Sequence, residues 1–243
     1  MKRIVIVGAT SGIGYEVARL CIGAGWSVGV AGRRIEPLQA LQALAPERVC
    51  YQQIDITQEK APEDLTRLVE ALGGMDIYFH GSGIGHYNPA LEPALELSTI
   101  KTNGEGFVRM VSAAFHYFCD HHGGHIATIS SIAGTKGLGA APAYSATKRM
   151  QNTYIDALSQ LAHLKGYPIR FTDIRPGFVS TALLRDGKYP LLMQKERVAK
   201  RIFKALKQQR RRIVIDWRYA VLVFFWRLIP EWLWERLPIQ RKE

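Results

Sequence analysis

Lys2-Arg3-Ile4-Val5-Ile6-Val7-Gly8-Ala9-Thr10-Ser11-Gly12-Ile13-Gly14 opens the chain with a β-branched apolar run that stops at a glycine cluster. Val17, Ala18, Leu20 and Cys21 follow at helical spacing, so the order is strand, glycine turn, helix. Glycines let a backbone approach a pyrophosphate without a Cβ in the way. The helix behind them aims free N–H groups and a positive dipole end at the phosphates. The spacing, Gly8-x-x-x-Gly12-x-Gly14, is wider at the front than the Gly-x-Gly-x-x-Gly dinucleotide fingerprint.

From this unit outward, apolar strands alternate with amphipathic helices. Strands are expected at 3–7, 27–31, 48–52, 76–79, 124–130, 169–174 and 212–216, with helices near 13–24, 36–44, 60–72, 92–118, 143–164 and 195–209. Repeated βαβ units form a parallel sheet covered by helices on both faces, a doubly wound Rossmann-type α/β fold. Ligands of such sheets bind beyond the carboxyl ends of the strands, here Gly8, Gly32, Asp55, Gly81 and Ser131. The 243 residues suit one large domain over 1–216 with a C-terminal extension over 217–243, without internal repeats or a Pro/Ser-rich linker.

Ala143-Tyr144-Ser145-Ala146-Thr147-Lys148 places a phenol and an ammonium at i and i+4, on one face of the 143–164 helix. Free tyrosine titrates near ~10, and a neighbouring cation is expected to lower that value and make the pair a proton donor and acceptor. Ser131 precedes them in Ile129-Ser130-Ser131.

With these motifs in order, residues 1 to about 216 resemble the core short-chain dehydrogenase/reductase family. The resemblance implies strand order 3-2-1-4-5-6-7, with Ser131, Tyr144, Lys148 and Asn103 as catalytic residues. It further implies that Gly8, Thr10, Ser11, Gly12, Ile13 and Gly14 bind a dinucleotide. Pro176, Gly177, Val179 and Thr181 lie in the matching segment after the sixth strand, and Asp55 and Ile56 fall near the adenine. Tyr144 would exchange a proton with a carbonyl or alcohol oxygen that Ser131 also holds, while hydride passes to or from the nicotinamide. Lys148 would also bind the nicotinamide ribose, and Asn103 would hold a water leading from Lys148 to solvent. Asparagine is also a poor helix former, which allows Asn103 simply to disturb the 92–118 helix. Pairing through the 92–118 and 143–164 helices is implied, giving a homodimer or homotetramer.

One segment departs from the family pattern. Where the family has Asn-Asn-Ala-Gly, this chain has His80-Gly81-Ser82-Gly83. Gly81, Ser82 and Gly83 keep a close approach to the cofactor ribose, and His80 is expected to be a packed, satisfied histidine rather than a base. The second strand ends in Ala31-Gly32-Arg33-Arg34, without the acid that would accept from the ribose of NAD. Guanidinium forks pair with phosphate, so Arg33 is expected to take the 2′-phosphate of NADP(H), helped by Arg34 and Ser11.

The substrate is constrained less. Residues 182–194 occupy the variable lid and are mostly apolar, with His86-Tyr87-Asn88-Pro89 facing them, which suits an apolar small-molecule ketone or alcohol. A catalytically weak dinucleotide-binding regulator or scaffold of the same fold is the alternative, supported by the altered segment at 80–83 and by the unusual C-terminal tail. Intact Ser131, Tyr144 and Lys148 count against it.

Charge concentrates at the carboxyl end. Nine basic residues and one acid lie between Lys195 and Arg212, in a chain of formal net charge +11. No nucleic-acid motif accompanies them. Four of the five tryptophans fall between 217 and 234, flanked by arginines, and the longest apolar run there is eight residues, Tyr219 to Trp226. That is short of the ~20 that span a bilayer. Such a tail fits the surface of an anionic membrane, the rim of its own domain, or a partner. Cys21, Cys50 and Cys119 are scattered, so neither a disulfide framework nor a metal site is expected. Gly8 ends the first apolar run too early for a signal sequence, and the cytoplasm, including the inner membrane face, is the expected location.

Overall fold

A computed structural model describes residues 2–184 and 189–239; Arg185, Asp186, Gly187 and Lys188 of the expected lid, together with residues 240–243 of the expected tail, lie outside the described residues. The first strand shows how the core is built. In β1 (Arg3–Val7), Ile4 and Ile6 enter one apolar cluster while Val5 and Val7 enter another on the opposite face. A strand buried on both faces is apolar throughout, which is why the run lacks alternation.

β2 (Ser27–Gly32), β3 (Val49–Gln53), β4 (Ile77–His80), β5 (Gly124–Ile129) and β6 (Ile169–Pro176) extend the sheet, all in parallel. Two short strands, β7 (Val179–Ser180) and β8 (Met193–Gln194), pair with each other at either end of the lid segment. β9 (Arg212–Ile215) completes a seven-stranded sheet of order β3-β2-β1-β4-β5-β6-β9. This is the expected order, with β9 in the seventh place.

α1 (Gly12–Gly23), α2 (Ile35–Gln42) and α7 (Lys195–Lys207) bury Val17, Cys21, Leu38, Leu41, Val198 and Ile202 against one face. On the other face, α3 (Ala61–Ala71), α5 (Phe107–Asp120) and α6 (Pro142–Leu164) contribute Leu65, Leu68, Met110, Phe118, Ile155 and Leu158. The helix expected over 92–118 runs without a break over 93–120, but it is not α-helical throughout. α4 (Pro93–Ile100) and α5 are joined by a π-helical turn, Lys101–Gly106, with Asn103 buried at its centre. Wide turns of this kind concentrate at functional sites.

The tail forms α8 (Trp217–Leu228) and the short α9 (Glu231–Trp234). Asp216 caps α8 by accepting from Arg218 N at 3.1 Å. Tyr219 and Val223 anchor α8 in the core shared with α7. The Tyr219 hydroxyl accepts from Phe178 N (3.1 Å) and lies 2.8 Å from Pro190 O, tying the tail to the end of the lid segment.

Candidate active site

The glycine turn is a cradle that side chains would fill. Gly8, at φ +94°, has backbone atoms of Gly81 and Ser82 where a Cβ would sit, the nearest at 2.5 Å. A Cβ on Gly14 would lie 2.2 Å from Gly8 O. No methyl fits there without moving backbone. Gly12 takes φ +59°, and the space beside it leads to the Thr181 methyl, so the segment after β6 folds over the turn. Ser11 is exposed at the start of α1, with no cap bond holding its hydroxyl.

Arg33 and Arg34 part company. Arg34 Nη2 donates to Thr10 O (3.0 Å) and Thr10 Oγ1 (3.3 Å), bracing the turn. Arg33 is exposed, and among the described residues no hydrogen bond or ion pair engages its guanidinium. Asp55 accepts from Thr57 N and Thr57 Oγ1 at 3.0 and 2.8 Å, closing the turn after β3. Ile56 packs in the core, and its carbonyl accepts from Arg109 Nη1 at 3.0 Å. Val179 likewise turns its side chain inward, leaving only its backbone for a ligand.

Ser131, Tyr144, Lys148 and Asn103 are brought together at the carboxyl edge of β4 and β5. Ser131 Oγ accepts from Ala133 N at 3.1 Å, bonds the Tyr144 hydroxyl, and makes a long contact, 3.5 Å, with Pro176 O. Its hydrogen can turn to another acceptor. The Tyr144 ring packs against Gly85, where a Cβ would come within 2.8 Å of it. Lys148 is buried; its ammonium donates to Ile129 O and Gln151 Oε1, each at 3.0 Å.

The expected lowering of the Tyr144 phenol is corrected. Burial pushes it up, and the bond from Ser131 only partly opposes this. The ammonium lies over the ring face, 5.7 Å from its centroid, and its bonds go to other groups. Burial brings Lys148 itself down to about 8, against the pull of Asp173.

Asn103 is buried on the π-helical turn. Its carboxamide clamps Ile84, accepting from Ile84 N (2.9 Å) and donating to Ile84 O (2.7 Å). Its backbone carbonyl accepts from Gln151 Nε2 at 2.8 Å. Gln151 went unnoticed in the sequence, although it shares the Tyr144–Lys148 helix face. Glu96 is a second omission: it accepts from Ala143 N and Asn88 Nδ2, each at 2.8 Å, so it holds the first turn of α6. Asn88 is thereby buried structure rather than the pocket wall expected of it, while Tyr87 stays exposed.

His80 is fully buried, as expected, but only half satisfied. Nδ1 bonds the Tyr78 hydroxyl at 2.9 Å, and Nε2 has no partner among the described residues. Burial and the nearby Lys148 charge hold the imidazole down at about 3, so it is neutral and no base at ordinary pH.

The glycine cradle and the Ser131, Tyr144, Lys148 and Asn103 cluster thus lie together at one edge of the sheet, where ligands of doubly wound sheets bind. Residues 2–188 match the short chain dehydrogenase family, and the chain belongs to that family as a short-chain dehydrogenase/reductase. An uncharacterized oxidoreductase of Myxococcus xanthus is 29% identical, with 96% of this chain and 95% of the relative covered. An NADP-dependent 3-hydroxy acid dehydrogenase of Salmonella typhi is 32% identical over 72% of each chain. Among solved structures, serine dehydrogenase from Escherichia coli matches with TM-score 0.74 and 27% identity, covering 84% of this chain and 90% of that one. The closed form of serine dehydrogenase complexed with NADP+ matches at 0.75 and 26%, covering 84% and 88%.

Proposed function

We propose that the chain interconverts a carbonyl and a secondary alcohol on an apolar small molecule, using NADP(H). The observation that carries this is the convergence of Ser131, Tyr144 and Lys148 beside a cradle no side chain can fill. The cradle and the unengaged Arg33 fit a phosphorylated dinucleotide, and the relatives named for NADP support the same choice. Gly8, Gly12 and Gly14 would take the pyrophosphate and Arg33 the 2′-phosphate, with Asp55 at the adenine, Gly81 to Gly83 at the ribose and Lys148 at the nicotinamide ribose. When bound, the cofactor supplies or accepts hydride.

The residues of this chain handle the proton. Tyr144, kept protonated by burial, gives its proton to the substrate oxygen in reduction and takes one back in oxidation. Ser131 donates to the same oxygen, stabilising the charge that develops there. Leu183, Leu191 and Leu192 of the lid segment are partly exposed, which supports an apolar substrate. The test is NADPH consumption across aryl ketones, alkyl ketones and 3-oxo acids, with NADH in parallel. Turnover of the apolar ketones is expected. Tryptophan quenching by NADPH without turnover of any substrate would instead favour the binding-protein reading.

We also propose that the tail rests on an anionic membrane surface, with the cytoplasm and its inner membrane face as the setting. Trp217 (68%), Phe224 (61%) and Leu228 (65%) stay exposed, and with Val221 they repeat at four, three and four residues along one face of α8. The basic α7 packs on the same core cluster as α8 and adds positive charge. No helix among the described residues is long and apolar enough to cross a membrane. Co-sedimentation with phosphatidylglycerol vesicles, weakened by Phe224→Ser and absent with phosphatidylcholine, is the expected result. Recovery wholly in the supernatant at low salt would refute the proposal.

A further inference from the structure

Tyr144, Lys148 and Gln151 follow one another at i, i+4 and i+7 along α6, so all three share one face. Gln151 is 1% exposed and sits between Lys148 and the π-helical turn. An ammonium can only donate and a carbonyl can only accept. These demands fix the carboxamide: Oε1 accepts from Lys148 Nζ at 3.0 Å, and Nε2 donates to Asn103 O at 2.8 Å. Both polar ends of a buried side chain are thereby satisfied.

We propose that Gln151 is a positioning residue for Lys148, a built-in amide bridge between the buried ammonium and the carbonyl of Asn103, in the place where the family resemblance implies a water. The inference rests on the proposed function, in which Lys148 holds the cofactor ribose beside Tyr144. A water there could exchange its protons with solvent. A carboxamide accepts at oxygen and donates at nitrogen, so it fixes the ammonium without carrying its proton onward. The third N–H of Lys148 is then the one left for a ligand, since Ile129 O and Gln151 Oε1 engage the other two.

The charged and titratable surroundings of Lys148 are few. Tyr144 lies on the same helix. Asp173 on β6 attracts the ammonium, and is itself bound by Ser130 Oγ (2.5 Å) and by Arg175 at 2.6 Å. His80 on β4 is neutral. β5 contributes the Ile129 carbonyl. A change at position 151 is therefore read directly in the titration of Lys148, which burial places near 8.

Two substitutions separate a positioning role from a structural one. Gln151→Glu and Gln151→Leu both lose the bond to Asn103 O, but they act oppositely on the ammonium. Glutamate adds a carboxylate and should raise the Lys148 midpoint by about one pH unit or more. Leucine removes an acceptor and should lower it. The midpoint is read by carbon NMR of the lysine ε-methylene in the cofactor-free protein, assigned with Lys148→Arg. Equal midpoints, or shifts of one sign in both variants, would overturn the proposal. If Gln151→Leu fails to fold, Gln151→Asn keeps the amide but falls one methylene short, and should also lower the midpoint. Absence of carbonyl reduction in the unaltered protein would defeat the functional reading instead, leaving the NMR titration to decide on Gln151.

Discussion

Tyr144→Phe should lower kcat for carbonyl reduction by about 10²–10⁴-fold, the range lost with a general acid. The substitution removes one oxygen and keeps the ring, which packs against Gly85 and under the Lys148 ammonium. Melting temperature and NADPH affinity should therefore stay close to those of the unaltered protein, so the loss falls on kcat. The direction of the pH dependence follows from the burial of the phenol. Because burial raises its pKa above the ordinary value of 10.0, Tyr144 remains protonated through the neutral range. Reduction, which consumes that proton, should be flat through neutrality and fall only in alkali. Oxidation needs the phenolate and should rise over the same alkaline interval. Steady-state rates in both directions, with Tyr144→Phe alongside, check this. Undiminished reduction by the variant would remove Tyr144 from the chemistry, and with it the proposed mechanism.

The elements that periodicity could reach were legible in the sequence. β1 and α1 were readable because both faces of the strand are buried, and because Gly8, Gly12 and Gly14 each answer a local steric demand. Features set by contacts between distant segments were not. On the π-helical turn Asn103 clamps Ile84, nineteen residues away, and no propensity encodes that bond. The i, i+4 spacing put Tyr144 and Lys148 on one face, yet spacing says nothing about whether burial or charge dominates there. Burial prevails, so the phenol moves up rather than down. Gln151 was readable in principle, since the face that holds Tyr144 and Lys148 continues to it. What the sequence lacked was a sign that the π-helical turn lies opposite. Likewise, adjacent arginines look alike until Thr10 engages one of them.

That asymmetry makes Arg33 and Arg34 separable by kinetics. Arg33→Asp should lower kcat/KM with NADPH by about 10–100-fold, since a charge-assisted bond contributes roughly 1.5–3 kcal/mol. The new carboxylate also repels a 2′-phosphate. With NADH the same carboxylate can accept from the ribose hydroxyl, so activity should hold or improve, and the preference should invert. Arg34→Ala acts elsewhere. It takes away the two bonds to Thr10 that brace the glycine turn, a part of the site both cofactors would use. NADPH and NADH should therefore suffer together, with the preference unchanged and a modest fall in melting temperature. Paired kinetics with the two cofactors distinguish these outcomes. An equal loss for both cofactors in Arg33→Asp would show that Arg33 does not read the 2′-phosphate. Inverted preference in Arg34→Ala would assign that contact to Arg34, which would then have to leave Thr10 to make it.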